Sequence, residues 1–197
     1  MKKDPRKNCS LESALKNRQT VRELTGGYIS RDILDDLVWA AYGHTHSDGL
    51  LKMRTAPSAG GTYPVEIYLV LHNVNDYPDG IYLYDTRNEQ LTIVKEGGYL
   101  DDICRASLDQ DFIPLANVTF LLVYNPDKIT RHYGRESRRY ALLECGHIAQ
   151  NILLMAAARG LGSVPVGAFY QKRLGAILGL QKDREVLYMI CVGTSEK

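Results

Sequence analysis

The N-terminal fifth of the chain carries two stretches in which apolar side chains recur at helical spacing. Residues 10–17 predict a short helix, with Ser10 as its cap, because a serine just before the apolar stripe can accept a hydrogen bond from the first turn. Residues 31–42 predict a second helix that Ser30 can cap in the same way. Gly43 follows that stripe, where we expect a left-handed residue to end the helix.

The middle of the chain changes to the pattern of β-strands. Residues 65–72 are nearly continuously apolar, which is typical of a strand covered on both faces. Residues 80–85 and 90–95 predict a hairpin, because a short polar turn separates them. Residues 118–124 and 186–193 predict two further strands of the same buried kind.

The longest helical stripe covers residues 137–159, and Gly160 ends it. A helix of this length spans about 33 Å, enough to cross a small domain. Gly146 and Ala149 lie on it and are small enough to let another backbone approach closely. A shorter helix is expected around residues 99–108. Helices and strands in this mixture, with a hairpin, favour a three-layer α+β sandwich over a doubly wound sheet.

Length, charge and cysteine spacing restrict the class of protein. A chain of 197 residues suits a single domain, residues 1–197. The net charge of +1 gives no reason to expect nucleic acid or a membrane surface as a partner. The N-terminus lacks the apolar run of a secretory leader, and no stretch reaches the ~20 apolar residues of a membrane span, so we expect a cytoplasmic protein. The four cysteines lie far apart, so we expect no metal site and no disulfide framework.

The first candidate for chemistry is the run Arg18-Gln19-Thr20-Val21-Arg22. Two guanidinium groups four residues apart, with an amide and a hydroxyl between them, offer the planar forks and short donors that suit a phosphate dianion. The alternative is an exposed basic turn, since charged clusters are common on protein surfaces. The residues alone leave both interpretations open.

The second candidate is the run Pro57-Ser58-Ala59-Gly60-Gly61, which shortly precedes a buried strand. Such small side chains expose backbone N–H and C=O groups to any ligand that lies over them. The run is not a glycine-rich phosphate loop, because it opens a strand rather than a helix. An ordinary tight turn is the alternative.

The third candidate is Pro165-Val166-Gly167, within the apolar run 160–169. The early half of that run is explained by the end of the long helix. The later half is different, because a bare backbone at Gly167 could place an N–H group against a flat heterocycle.

Taken in order along the chain, six runs resemble the nitroreductase superfamily and especially its SagB-type dehydrogenase branch. The runs are RQTVR, RTAPSAGGTYPVEIYLV, GIYLYD, ALLECGHIAQN, GLGSVPVGAF and LYMICVG. They span essentially residues 10–193. No single run carries the resemblance; their joint order does.

This resemblance implies a nitroreductase-like three-layer α/β/α sandwich with a central, mostly antiparallel sheet and a long central helix. Family members are homodimers that hold FMN at the subunit interface. They take electrons from NADH or NADPH through flavin N5 and pass them to a small organic acceptor such as a nitroaromatic or a quinone. The chemistry belongs to the flavin, so no catalytic side chain is assigned.

The resemblance also assigns twelve residues to the cofactor. The positions that bind the phosphate, the ribityl chain and the pyrimidine edge of FMN match Arg18, Gln19, Thr20 and Arg22. The loop of the partner chain that packs on the ring falls to Pro57, Ser58, Ala59, Gly60 and Gly61. The segment beside flavin N5 falls to Pro165, Val166 and Gly167.

The chain departs from the family pattern at three points. Nitroreductases carry Asn and Gln where this chain has Gly61 and Tyr63. Lys197 is the only candidate for the C-terminal basic residue that reaches the phosphate. His132-Tyr133 stands near the Lys-Tyr pair of the azoline-forming branch. Two alternatives therefore stay open: a flavin-binding or flavin-sensing module without turnover, and an azoline dehydrogenase in a peptide-modifying complex.

Substrate choice is expected to depend on loops over the flavin, here residues 44–53 and 126–136. His44 and His46 are expected to face solvent within the first of these loops. His147, on the long helix, is expected to be a structural residue with satisfied hydrogen bonds.

Overall fold

The computed structural model describes residues 9–48 and 51–196. The helices are α1 (Leu11–Asn17), α2 (Arg31–Tyr42), α3 (Leu100–Ala106), α4 (Thr130–Tyr133), α5 (Ser137–Ala158) and α6 (Gln171–Leu178). The strands are β1 (His44–Asp48), β2 (Leu51–Arg54), β3 (Val65–Leu71), β4 (Gly80–Asp85), β5 (Gln90–Glu96), β6 (Val118–Tyr124), β7 (Gly162–Val166) and β8 (Glu185–Gly193). Lys197 lies outside the described residues, so its expected contact with a phosphate stays a prediction.

Six of the strands form one sheet in the order β5-β4-β3-β6-β8-β7. Its centre is β3 beside β6, paired from Val65 opposite Tyr124 to Leu71 opposite Val118. Every pairing in this sheet is antiparallel. The expected mostly antiparallel central sheet is therefore confirmed.

Helices cover both faces of the sheet, because its strands are apolar on both faces. On one face, Leu37 of α2 and Ile148 of α5 are fully buried in one core cluster. On the other face, Ile103 of α3 and Leu174 of α6 are fully buried in a second cluster. Complete burial of such a side chain contributes about 2 kcal/mol. These apolar stripes fix which side of each helix faces the sheet, and they produce the expected three layers.

The ends of the first two helices differ from expectation in part. Ser10 caps α1 as expected, since its hydroxyl accepts a hydrogen bond from the Ser13 amide at 3.2 Å. Ser30 has the extended backbone of a cap, but its side chain makes no capping hydrogen bond. The expected left-handed stop at Gly43 is wrong, because its backbone is extended at φ −65° and ψ 158°. Glycine is required there because a Cβ would overlap the ring of Trp39.

The central helix α5 ends one residue earlier than expected, and Gly160 follows it with φ +70°. By length and composition alone, Thr130–Ala158 could cross a membrane, and it is the one such stretch in the described parts of the chain. Nearly half of its most apolar window packs inside the protein, as in the core helix of a globular fold. The stretch is therefore only weak grounds for a membrane span.

Two segments expected as loops contain regular structure. Residues 44–48 and 51–53 belong to the antiparallel pair β1-β2, in which Ser47 lies opposite Lys52. This hairpin was not predicted because its first strand is polar throughout. Residues 126–136 form short helical turns, including α4.

Candidate functional site

The first and third candidate runs lie side by side at one edge of the sheet. The Val21 amide donates a hydrogen bond to the Ser163 carbonyl of β7 at 3.1 Å, and Leu24 pairs with Ser195 just beyond. Val21 is buried, whereas Thr20 and Arg22 are exposed. The run 18–22 therefore lies beside the edge strand β7, joined to it by one hydrogen bond, and keeps hydroxyl and guanidinium groups in solvent.

A cleft of about 410 Å³ lies between the run 18–22 and the start of β7, and residues 165–167 are not part of its lining. It is lined by Lys16, Asn17, Gln19, Val21, Ala157, Gly160, Leu161, Ser163 and Ser195. A cleft of this size falls within the range of small-molecule and cofactor sites, ~300–1,000 Å³. Gln19 is thus the predicted contact residue that lines the cleft itself, while Arg18 is half-buried at its rim, beside the C-terminus of α1.

At the end of β7, only the backbone is available to a ligand. The Val166 side chain is buried in the core cluster beneath the sheet. Gly167 is exposed, and a Cβ there would meet nothing within 4 Å. That the N–H of Gly167 faces a flat group stays a prediction. Pro165 is half-buried between them.

The second candidate run lies elsewhere, in the loop that leads into β3. Ala59–Gly61 forms one turn of 3₁₀ helix, with left-handed Gly60 at φ +57° and Gly61 at φ +63°. The Ser58 hydroxyl accepts a hydrogen bond from the Tyr63 amide at 2.8 Å, which closes the loop. The run is therefore a structured turn whose two glycines hold conformations that other residues rarely adopt.

The loop and the cleft lie at opposite ends of α5. The Ser58 hydroxyl faces Glu144, near the start of the helix. Ala157, near its end, lines the cleft. Ala157 follows Glu144 by 13 positions in the helix, which corresponds to about 20 Å at the helical rise. One chain therefore does not bring all three candidate runs into one site.

Beneath the loop lies a buried polar cluster that the sequence did not reveal. The Tyr42 hydroxyl donates to Oε1 of Glu144 in a short hydrogen bond. The guanidinium of Arg54 lies close to both rings, 4.8 Å from the centre of Tyr42 and 4.7 Å from that of Tyr63. Its Nη1 donates to the Tyr42 carbonyl at 3.1 Å. These side chains come from α2, β2, the loop and α5, so no periodic pattern in the sequence links them.

Burial dominates the electrostatics of this cluster. It raises the pKa of the Glu144 carboxyl, although the Ser58 and Tyr42 hydroxyls, the Val65 amide and Arg54 act to lower it. Oε2 of Glu144 has no hydrogen-bond partner among the described residues. Burial, and then the nearby Glu144 charge, raise the pKa of Tyr42 well above its usual value.

Tyr63 has a structural role that explains one departure from the family pattern. Its ring packs edge-on against Tyr42 at 5.6 Å and against the core. Its φ of +49° is unusual for a residue with a bulky side chain. Because the ring points inward, Tyr63 gives no polar contact above the loop in place of the family's glutamine.

Tyr133 lies against the same loop from outside. A Cβ placed on Gly60 would come within 2.8 Å of the Tyr133 hydroxyl oxygen. The neighbouring His132 is exposed. The pair that resembles the azoline-forming branch is therefore beside the loop.

The other histidines differ in part from expectation. His147 is exposed on α5, so the prediction of a structural residue is wrong. His44 is half-buried within strand β1, while His46 is exposed as expected but also in that strand rather than in a loop. Within residues 9–48 and 51–196, no three His, Cys, Asp or Glu side chains converge on a possible metal site.

Comparison with known proteins identifies the family. Residues 15–194 match the nitroreductase family. The chain belongs to the nitroreductase family. It is 36% identical over 172 residues to a nitroreductase-like protein of Methanocaldococcus jannaschii, a match that covers 87% of this chain and 85% of that protein. Membership of this family supports an oxidoreductase, while the SagB-type branch stays a prediction.

Solved structures confirm the fold of this nitroreductase. A nitroreductase-like protein from Ralstonia eutropha JMP134 superimposes with a TM-score of 0.83 at 25% identity, over 95% of this chain and 84% of that one. The NADPH:FMN oxidoreductase from Vibrio harveyi, solved in complex with NAD+, gives a TM-score of 0.67 at 16% identity, over 95% and 69%. The second likeness concerns the fold alone.

Proposed function

We propose that this nitroreductase is a cytoplasmic, FMN-dependent NAD(P)H oxidoreductase that passes electrons to a small organic acceptor such as a nitroaromatic or a quinone. Two observations carry the proposal: the cleft beside the run 18–22, which Lys16, Gln19 and Ser163 help to line, and the open backbone at Gly167, four residues beyond Ser163. The run and the cleft offer cations and hydroxyls for an anion, and Gly167 offers a bare N–H for a planar ring.

The donor set fits FMN in chemistry and in order. Arg18, Thr20 and Arg22 would bind the phosphate through charge-assisted hydrogen bonds. The cleft side chains, Gln19 among them, would orient the ribityl chain, and the Gly167 N–H would stabilise negative charge on the ring edge. Bound FMN would supply the acceptance of hydride from a nicotinamide and its passage onward. The chain would bind and orient the reactants, and no side chain is assigned to proton transfer.

We propose further that the working unit is a homodimer. One chain keeps its loop about 20 Å from its own cleft along α5, so a second copy would supply the Pro57–Gly61 loop. The outer stripe of α5 is suited to such a contact. Leu142 and Leu143 are 42% and 56% exposed, and a Cβ on Gly146 would meet nothing within 4 Å. A partner helix could therefore approach this stripe closely.

The cofactor assignment is tested with the purified protein and the Arg18→Ala variant. The wild type should be yellow, and anaerobic addition of NADH or NADPH should bleach the flavin. Removing one charge-assisted contact costs roughly 1.5–3 kcal/mol, so Arg18→Ala should weaken FMN binding by about 10- to 150-fold. Arg87→Ala, an exposed arginine in the turn between β4 and β5, is the control and should bind normally.

Three results would contradict parts of this proposal. Colourless wild-type protein that takes up no FMN would exclude a flavin enzyme. Tight FMN binding without reduction by either nicotinamide would favour a flavin-binding module without turnover. A sedimentation mass near 22.1 kDa with flavin still bound would contradict the shared site.

A second candidate function is an azoline dehydrogenase within a peptide-modifying complex. It rests on the position of Tyr133 against Gly60, which brings the His132-Tyr133 pair to the proposed flavin loop. In that reaction a thiazoline ring would lose two hydrogens and become a thiazole, and FMN would gain them. Incubation with a synthetic thiazoline peptide, followed by mass spectrometry for a loss of about 2 Da, separates this function from the first. Tyr133→Phe should abolish that loss and leave reduction of a quinone intact.

A further inference from the structure

Glu144 carries the one buried carboxyl group among the described residues, since only 2% of this residue is exposed. Burying a carboxylate is costly unless hydrogen bonds and an opposite charge accompany it. The proposed cofactor binding makes no direct use of this group. Its position must therefore be explained by what it holds in place.

The Glu144 carboxyl faces three separate parts of the chain. Tyr42 donates to it from the end of α2. The Ser58 hydroxyl and the Val65 amide face it from the loop and from the start of β3. The carboxyl group thus lies near the Pro57–Gly61 loop, and its hydrogen-bond partner Tyr42 packs edge-on against Tyr63, just past the loop, at 5.6 Å between ring centres.

The cluster around Glu144 also holds the two ends of the loop close to each other. Arg54 precedes the loop and Tyr63 follows it, and the guanidinium lies 4.7 Å from the Tyr63 ring centre. Arg54 also counters the Glu144 charge. Ser58, which faces Glu144, accepts the Tyr63 amide. A change at Glu144 would therefore be transmitted to both ends of the loop through Ser58 and Arg54.

We propose that Glu144 is a positioning residue for the Pro57–Gly61 loop and thereby sets the FMN affinity of the partner subunit's site rather than that of its own chain's cleft. This inference rests on the proposed FMN-binding homodimer. Glu144 would touch neither FMN nor substrate, since the loop lies between them.

The loop itself can be examined without flavin. The Tyr63 amide is held by the Ser58 hydroxyl, so its hydrogen exchange reports whether the loop is closed. In flavin-free protein, Glu144→Gln should speed exchange at Tyr63 by about tenfold or more. Tyr42→Phe, which removes the hydroxyl on Glu144, should act in the same direction. Tyr82→Phe removes a comparable buried hydroxyl, bonded to the Pro78 carbonyl at 2.7 Å, and should leave Tyr63 unchanged.

FMN affinity is then measured by quenching of flavin fluorescence on the same proteins. Loss of a group that supports a binding shell commonly weakens binding about 10- to 100-fold, as with the outer partners of metal sites. Glu144→Gln and Tyr42→Phe should fall in that range, and Tyr82→Phe should match the wild type. Equal affinities for all four proteins would overturn the proposal.

Mixed dimers decide which subunit Glu144 serves. A dimer with Arg18→Ala in one chain and Glu144→Gln in the other should keep one site of wild-type affinity, because both changes then fall on the same site. A dimer with both changes in one chain and none in the other should keep no such site. The reverse pattern would show that Glu144 acts on its own chain's cleft, and would overturn the proposal. Wild-type protein that binds no FMN would refute the proposed function, while the Tyr63 exchange would still test the positioning of the loop.

Discussion

Arg54 offers the sharpest test of how the loop is held. Its guanidinium lies 4.8 Å from the ring centre of Tyr42 and 4.7 Å from that of Tyr63, and it donates to the Tyr42 carbonyl at 3.1 Å. Arg54→Ala removes both stacking contacts and this hydrogen bond together. It also leaves the buried Glu144 without the opposite charge that counters it.

The expected cost follows from these contacts. Each partly buried cation–π contact contributes about 1 kcal/mol, and a hydrogen bond from a charged donor contributes about 1.5 kcal/mol. Arg54→Ala should therefore lower the free energy of unfolding by about 3.5 kcal/mol. A loss of this size is a large share of the stability of a typical domain, about 5–15 kcal/mol.

Urea unfolding followed by far-ultraviolet circular dichroism measures this loss directly. Arg31→Ala is the matched control, since Arg31 also lies over a tyrosine ring, that of Tyr77 at 5.8 Å. Its side chain is 58% exposed and pairs with Asp35 four residues on, so its removal should cost about 0.5 kcal/mol. Equal losses for the two variants would refute the view that Arg54 braces the loop.

Three further predictions concern the loop, the buried carboxyl and the proposed dimer. Gly60→Ala should lower the free energy of unfolding by about 1 kcal/mol or more, because the φ of Gly60 is +57° and the Tyr133 hydroxyl occupies the space for a Cβ. Gly98→Ala is the control and should leave stability unchanged, because the space around Gly98 is open. Equal urea midpoints for the two variants would contradict this prediction. The stability of the wild type relative to Glu144→Gln should fall as pH rises from about 4.5, the ordinary pKa of a glutamate, through the raised pKa of Glu144 in the folded protein. The reason is that Glu144 loses its proton at a lower pH in the unfolded chain than in the folded one. A stability difference that stays constant or rises with pH in urea titrations would contradict a raised pKa of Glu144. Leu143→Lys should sediment as a monomer and should bind FMN more weakly. Leu108→Lys changes a similarly exposed leucine and should remain a dimer. If Leu143→Lys also remains a dimer, the interface lies elsewhere.

The central strands could be predicted from the sequence because the sheet is covered on both faces. The expected strand 118–124 is found with those bounds, and all seven of its residues are buried. A continuous apolar run is what such a position requires. The expected hairpin at 80–85 and 90–95 is also found, extended by one residue at its end.

Elements held by tertiary contacts could not be predicted in this way. β7 contains glycine and proline, and no strand was predicted there. It is a strand because β8 supplies its hydrogen-bond partners along its whole length. β1 has no apolar alternation and is paired with β2 regardless. Local propensity is a weak guide where a neighbouring strand decides the conformation.

The candidate site shows the same division. The side-chain chemistry of the run 18–22 and the bare backbone of the loop were visible as residue types. Their placement was not, since the hydrogen bond from Val21 to Ser163 joins residues far apart in sequence. The cluster of Tyr42, Arg54 and Glu144 was missed altogether, although Arg54 and Glu144 lie in runs that carry the family resemblance.

In the proposed homodimer, the separation of loop and cleft gives a reason for the loop to be held in place by its own chain. A loop that contacted a ligand of its own chain could be ordered by that ligand when it binds. A loop that must fit a site on another subunit gains affinity when it is ordered beforehand, because less conformational freedom is then lost on association. Glycines at Gly60 and Gly61 keep the outer surface of the loop bare, and Arg54, Tyr63 and Glu144 restrict it from beneath. The side chain of Tyr63 is therefore used for order rather than for a polar contact, which accounts for its departure from the family pattern.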